Sequence, residues 1–200
     1  MRRRAAMAAL AGALLTSCAT TAPPASPQDQ FFAALSRHCG KAFAGRLVSD
    51  DAADADMRGK AMVMHVRQCT PAAIRIPFHV EGLGPDGGWD RSRTWVISRA
   101  ERGLQLKHDH RHADGKPDDI TQYGGVTAEP GSAARQSFPA DEDSIALFRR
   151  TNRAVSTSNI WAVEVDDRRF AYELRRAGRH FRVEFDLTRP VPPPPVPWGW

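Results

Sequence analysis

The chain has 200 residues, 42% of them hydrophobic, and a formal net charge of +5 at pH 7. This length supports one domain with a single core. Much of the charge lies at the N-terminus, because removing residues 1–17 leaves a formal charge of +2. No dense basic stripe remains, which argues against nucleic acid as a partner.

The first residues have the layout of a bacterial export signal. Three arginines at 2–4 precede an apolar run at 5–15, which is shorter than the roughly 20 residues that a membrane-spanning helix needs. The run Leu15-Thr16-Ser17-Cys18 resembles the lipobox of bacterial lipoproteins. The resemblance implies cleavage before Cys18 and its acylation, and Ala19, in place of an aspartate, favours the outer membrane. An ordinary secretory signal with an incidental cysteine is the alternative.

These features predict the organisation of the whole chain. We expect a signal peptide at 1–17, a lipidated tether at 18–28 and one β-rich domain at 29–198, ending in a proline-rich tail at 190–200. The protein would lie in the cell envelope, on the periplasmic side of the outer membrane, attached to the membrane through the lipid on Cys18. The tail would dock on a partner or pack back on its own domain.

Two cysteines remain once Cys18 is used for lipid. Cys39 and Cys69 form an even pair in an oxidising compartment, which predicts a disulfide. Two buried free thiols are the alternative. A redox or zinc role is disfavoured because the chain has no Cys-x-x-Cys motif.

The predicted elements begin with a short amphipathic helix at 29–39 that ends at Gly40. Alternation of apolar and polar residues then predicts four strands, around 62–66, 74–80, 95–97 and 104–112. Residues 113–140 are rich in Gly, Asp, Ser and Pro and indicate a long irregular stretch. Residues 141–150 have acids first and arginines last, which favours a second helix.

The C-terminal part has the clearest pattern. Residues 161–165, 170–174 and 181–187 alternate around two short turns, which predicts a three-stranded antiparallel meander with one wet face. Seven or so strands and one or two short helices predict a mainly β fold, either an antiparallel up-and-down β-barrel or a sandwich. A barrel of about eight strands can hold one small ligand.

Four phrases carry a family resemblance: residues 39–45 (CGKAFAG), 92–95 (SRTW), 107–115 (KHDHRHADG) and 121–125 (TQYGG). They resemble a family of proteobacterial secreted proteins and lipoproteins that has no assigned function, so the resemblance implies no catalytic residues. The order of helix, glycine-containing first strand and meander is more loosely similar to lipocalin-like barrels.

One polar cluster is a candidate site. His108, His110 and His112 alternate, so on a strand they would project from one face, and Asp114 and Asp118 follow closely. Imidazoles and a carboxylate at such spacing can share zinc or another divalent ion. Calcium in the acidic turn is a weaker alternative, since the EF-hand pattern is missing. The alternative is that the cluster has no function and the end of the strand simply extends from the mouth of a barrel into solvent.

A second candidate is the pair Arg93 and Trp95, which would share a strand face and serve either ligand binding or a structural cation–π stack. The common nucleophile and phosphate-binding motifs are absent from the sequence.

Three functions therefore stay open. The one we prefer is an envelope lipoprotein that binds a small ligand or a partner protein at one end of the barrel. The others are a metal-dependent enzyme that uses the histidines and a structural lipoprotein without a pocket. Histidines converging beside a pocket would indicate the enzyme. A filled barrel with splayed histidines would indicate the structural protein, and an open lined cavity without convergence of the histidines would indicate the binding protein.

Overall fold

A computed structural model describes residues 24–200, so the predicted signal peptide, Cys18 and the first part of the tether lie outside the described residues. Within this range there are eleven strands: β1 Ala42–Leu47, β2 Met62–His65, β3 Gln68–Cys69, β4 Ala73–Val80, β5 Asp90–Arg99, β6 Leu104–His110, β7 Tyr123–Val126, β8 Arg135–Pro139, β9 Ile160–Val165, β10 Arg169–Arg176 and β11 Arg179–Val191. The α-helices are α1 Pro27–Ser36 and α2 Glu142–Arg150, and short 3-10 helices span Ala52–Met57, Pro85–Gly87 and Ala154–Ser158.

The strands form one antiparallel sheet that is a nearly closed, up-and-down barrel. Its order is β7-β6-β5-β4-β2-β1-β11-β10-β9-β8, with the short β3 beside β4. The last strand, β11, pairs with the first, β1, so the break in the barrel lies between β7 and β8. The predicted mainly β fold and the C-terminal meander are confirmed. In the described part of the chain, no helix has both the length and the apolar character needed to cross a membrane.

The predicted number of strands was too low, and the reason is local composition. The stretch at 113–140 is not irregular throughout, since it contains β7 and β8. Gly124 and Gly125 occupy half of β7, and glycine has little β-propensity. β8 has five residues and ends at Pro139, so neither strand is long enough to show a clear alternation.

Helix α1 closes one end of the barrel. Ser26 caps it by accepting a hydrogen bond from the backbone N–H of Asp29, so the helix begins at Pro27, inside the predicted tether. Phe31 and Leu35 are fully buried in the core. The predicted disulfide between Cys39 and Cys69, with 6.1 Å between the Cα atoms, is confirmed and fastens the turn after α1 to β3.

The break between β7 and β8 is held by two glycines and the start of α2. The backbone N–H of Gly124 donates to Ser144 Oγ at 2.7 Å, and the N–H of Asp141 donates to the Gly124 carbonyl at 3.0 Å. A Cβ on Gly125 would lie 1.7 Å from the carbonyl oxygen of Pro139, so no larger residue fits while the two strands keep this distance.

Gly125→Ala will therefore force β7 and β8 apart. We expect it to lower the free energy of unfolding by about 1–3 kcal/mol or more, as overpacking does in other cores. Gly88→Ala is the matched control, because its new Cβ meets only a Pro85 oxygen, at 3.6 Å, and we expect a change within about 0.5 kcal/mol. Urea unfolding followed by circular dichroism measures both, and an unchanged midpoint for Gly125→Ala would contradict this account of the seam.

The C-terminal tail packs back on its own domain, which is one of the two outcomes considered above. The N–H of Trp198 donates to the carbonyl of Arg91 at 3.2 Å. The guanidinium of Arg91 lies 5.7 Å from the centre of the Trp198 ring, and that of Arg67 lies 5.4 Å from the Trp200 ring. The tail thus covers part of the outer surface beside β5.

Candidate functional site

The two ends of the barrel differ in chemistry. At the closed end, Gln28 of α1 donates to Thr127 at 2.9 Å and Asp29 pairs with Arg99. The turn between β5 and β6 lies at this same end, so β6 runs from α1 toward the opposite end and reaches it at His110. That opposite end, which we call the mouth, carries a polar cluster that we call the mouth cluster: Asp90, Arg93, His110, Asp118 and Tyr123.

The pairing of β5 with β6 brings the two sequence candidates together. Arg93 lies directly opposite His110, and Trp95 lies directly opposite His108. Arg93 forms an ion pair with Asp90, three residues earlier, and its side chain remains 30% exposed. The predicted sharing of one strand face by Arg93 and Trp95 is correct, but Trp95 packs against aromatic rings rather than against the guanidinium.

The hydrogen bonds of His108 determine its tautomer. Its Nδ1 lies 3.0 Å from the carbonyl oxygen of Tyr123, which can only accept, so Nδ1 carries the proton. Nε2 must then accept the hydrogen bond from the hydroxyl of Tyr172, at 2.7 Å. Burial, reinforced by the charge of nearby His110, lowers the pKa of His108 to about 3. His108 is therefore a neutral, fully engaged core residue.

His110 and Tyr123 continue this chain of polar groups toward the mouth. The hydroxyl of Tyr123 lies 3.2 Å from His110 Nε2, and the ring of Tyr123 stacks on that of His108 at 4.5 Å. Burial, followed by the charge of Arg93, lowers the pKa of His110 to about 4. Burial also raises the pKa of Tyr123 to about 12. At neutral pH both groups are uncharged and can only exchange hydrogen bonds.

Of the remaining candidate residues, Asp118 belongs to the mouth cluster, whereas His112 and Asp114 do not. The N–H of Asp118 donates to the carbonyl of His110 at 3.0 Å, and its carboxylate acts to raise the pKa of that histidine. His112 lies beyond the end of β6 and is exposed. Asp114 turns away, since it accepts from the N–H of Lys116 and pairs with that side chain at 2.9 Å.

The metal hypothesis gains no support from this arrangement. Between residues 24 and 200, no three His, Cys, Asp or Glu side chains are placed so that they could hold a metal ion. His108 would have to give up a hydrogen bond to become a ligand, because both of its ring nitrogens are engaged.

The interior below the mouth is filled with aromatic rings. Strands β5 and β10 are five places apart in the ten-strand order, yet the ring of Trp95 stacks on that of Tyr172 at 4.5 Å. Phe78 stacks on the same indole at 4.9 Å, and Phe170 and Phe185 follow at 5.8 and 6.2 Å. Contact between opposite walls closes the barrel at this level, so a small ligand has no lumen to enter here.

Three residues of this region were not among the candidates from the sequence. Tyr172 belonged to the predicted meander, and its hydroxyl on an otherwise apolar face was a signal that a buried partner was needed. Tyr123 lay in the stretch predicted to be irregular. Asp90 starts β5, ahead of the strand that was predicted around 95–97.

Comparison with known proteins does not extend this description: the chain matches no protein family, no curated protein and no solved structure.

Proposed function

We propose that the chain is a lipid-anchored, non-catalytic scaffold protein of the cell envelope, and that it holds a partner protein at the mouth of its barrel. The observation that carries the proposal is the polar mouth above a filled interior, most clearly the contact of Trp95 with Tyr172. A filled barrel cannot serve as a container for a lipophilic ligand, so its binding surfaces must be external.

The position of α1 supports this orientation. The tether enters the domain at Pro27, at the closed end, and the mouth cluster lies at the other end of β6. A barrel attached to a membrane through that tether would direct its mouth away from the membrane. The mouth mixes an arginine with acids and neutral hydrogen-bonding groups, a composition that suits the polar surface of another protein.

The anchor is tested by Cys18→Ser. We expect the variant to lose all incorporation of labelled palmitate and to leave the membrane fraction. Serine at this position carries no acyl chains, each buried CH₂ of which would contribute roughly 0.8 kcal/mol to membrane binding. The variant should keep the far-ultraviolet circular dichroism of the parent, since Cys18 lies before the domain. A Cys18→Ser variant that still carries label and still sediments with membranes would refute the lipoprotein assignment.

The partner is tested by photo-crosslinking in cells of the native host. A photoreactive residue in place of His112, exposed beside the mouth, should give one discrete adduct. The matched control is Arg102, which is also exposed but lies in the turn at the closed end. We expect the adduct from position 112 to disappear in an Arg93→Ala background. Absence of any adduct from position 112, or the same adduct from both positions, would contradict the proposal.

A further inference from the structure

A cleft of about 450 Å³ lies at the mouth end of the barrel, between the loop after β4 and the C-terminal tail. Its walls include Trp89 and Pro85 from the loop, Pro195 and Trp198 from the tail, and Arg91 of β5. Trp89 and Arg91 flank Asp90 of the mouth cluster, but no residue of that cluster lines the cleft.

Two indoles give this cleft its shape. The Trp198 ring lies over the guanidinium of Arg91, and the Trp89 ring meets the imidazole of His79 edge-on, with 6.5 Å between the ring centres. Both tryptophans are only half-buried. Flat, partly exposed indole faces bind ligands that have an apolar face of their own.

Buried polar atoms close to the cleft lack hydrogen-bond partners among residues 24–200. His79 is 0% exposed, and the Pro195 backbone beside its ring can satisfy only one of its two nitrogens, so the other nitrogen is unpaired, as is Trp198 Nε1. Leaving such buried groups unpaired is unfavourable, because each has lost its hydrogen bonds to water. Burial, opposed only in part by the nearby Pro195 backbone, lowers the pKa of His79 to about 4, so at neutral pH its ring offers one donor and one acceptor. A hydroxyl group, which both donates and accepts, matches this requirement.

The charges near the cleft narrow the ligand class further. The guanidinium of Arg91 is already engaged, since it donates to the Val196 carbonyl at 3.1 Å and stacks on Trp198. A guanidinium has five N–H donors, so these contacts alone do not exclude an anion. An anion here would, however, lie close to the carboxylate of Asp90, whose charge acts on His79. A purely apolar ligand would leave the unpaired nitrogen of His79 and Trp198 Nε1 without partners. The remaining class is an uncharged molecule with hydroxyl groups and an apolar face.

We propose that this cleft binds a neutral saccharide, with a sugar ring against Trp89 and Trp198 and hydroxyl groups that reach His79 and the Trp198 indole N–H. Because His79 and Trp198 Nε1 are buried, a ligand reaches them only when the tail moves, and the tail is held here by two hydrogen bonds: Arg91 to the Val196 carbonyl, and the Trp198 backbone N–H to the Arg91 carbonyl. The tail is thus one adjustable wall of the binding site.

The experiment uses the full chain, purified in lauryldimethylamine oxide because this detergent has no sugar headgroup. Chitotetraose and cellotetraose are titrated in separate runs while tryptophan fluorescence and heat are recorded. Trp95 and Trp161 are buried in the core, so a change in emission would report on the exposed indoles. Saturable binding of at least one oligosaccharide is expected, and no saturable signal with either one would overturn the proposal.

Three variants locate the binding. Trp89→Ala should raise the Kd by about tenfold, and Trp89→Phe, which keeps an aromatic face, should restore part of the affinity. Trp200→Ala is the control, because Trp200 lies in the same tail but stacks on Arg67 outside the cleft, and its Kd should stay within about twofold. Equal affinity in Trp89→Ala and the parent chain would also overturn the proposal, and this result is independent of the partner at the mouth.

Discussion

Lowering the pH from 7.5 to 5 is expected to reduce the free energy of unfolding by about 6 kcal/mol, or about 2 kcal/mol for each of three histidines that lie mostly out of solvent. Burial lowers the pKa of His108 to about 3 and those of His110 and His79 to about 4. In the unfolded chain the same rings take up a proton near pH 6.5. Below that pH the unfolded state binds more protons, so stability falls as pH falls. Above it these histidines contribute no pH dependence.

Urea unfolding at several pH values between 7.5 and 4.5 measures this loss. His110→Gln should reduce the slope against pH by the contribution of one proton, about 1.4 kcal/mol per pH unit. His112→Gln is the matched control, because it removes an exposed histidine just beyond the same strand. Carboxylates affect the free energy of unfolding only at lower pH. Burial alone would raise the pKa of Glu173, but hydrogen bonds from Arg175 and Arg135 outweigh burial and lower that pKa to about 2. A stability that stays flat from pH 7.5 to 5 would contradict the burial of the three imidazoles.

Trp95→Ala is expected to lower the free energy of unfolding by about 3–5 kcal/mol, the usual cost of deleting a large buried aromatic side chain. The indole is 2% exposed and joins β5 to β10 across the barrel. Its loss would leave a cavity that the surrounding rings, which belong to several strands, cannot fill without moving their backbones.

Trp200→Ala provides the comparison for Trp95→Ala. This indole is 42% exposed and contacts Arg67 at the surface, so its removal should cost less than about 1 kcal/mol. Thermal and urea unfolding of the two variants measure the difference. Similar losses from both would mean that the interior is not packed across the barrel.

The strands that could be predicted best from the sequence are those with one face exposed to solvent. β9, β10 and β11 alternate clearly because their outer faces carry charged residues such as Glu164, Arg169 and Arg182, and both arginines pair with Glu164. Strand β4 could also be predicted, from its alternation at 74–80. Pro77 does not disrupt the sheet, because β2 and β3 pair with β4 on either side of that residue.

The mouth cluster could be predicted only in pieces. The alternation of His108 with His110 and of Arg93 with Trp95 is visible in the sequence, but the position of Arg93 opposite His110 depends on the register of a hairpin. The contact between His108 and Tyr172 depends on closure of the whole barrel, so no local pattern contains it. His112 was placed on the strand because the alternation continues past the point where β6 ends.

The most direct test of a filled, lipid-anchored barrel is the native mass of the protein isolated from the envelope of its own host. The account predicts one mass, that of a chain beginning at Cys18 with acyl chains attached, the Cys39–Cys69 disulfide intact and no stoichiometric apolar small molecule retained. A chain that keeps residues 1–17, or a barrel that releases a bound lipophilic ligand on unfolding, would contradict it.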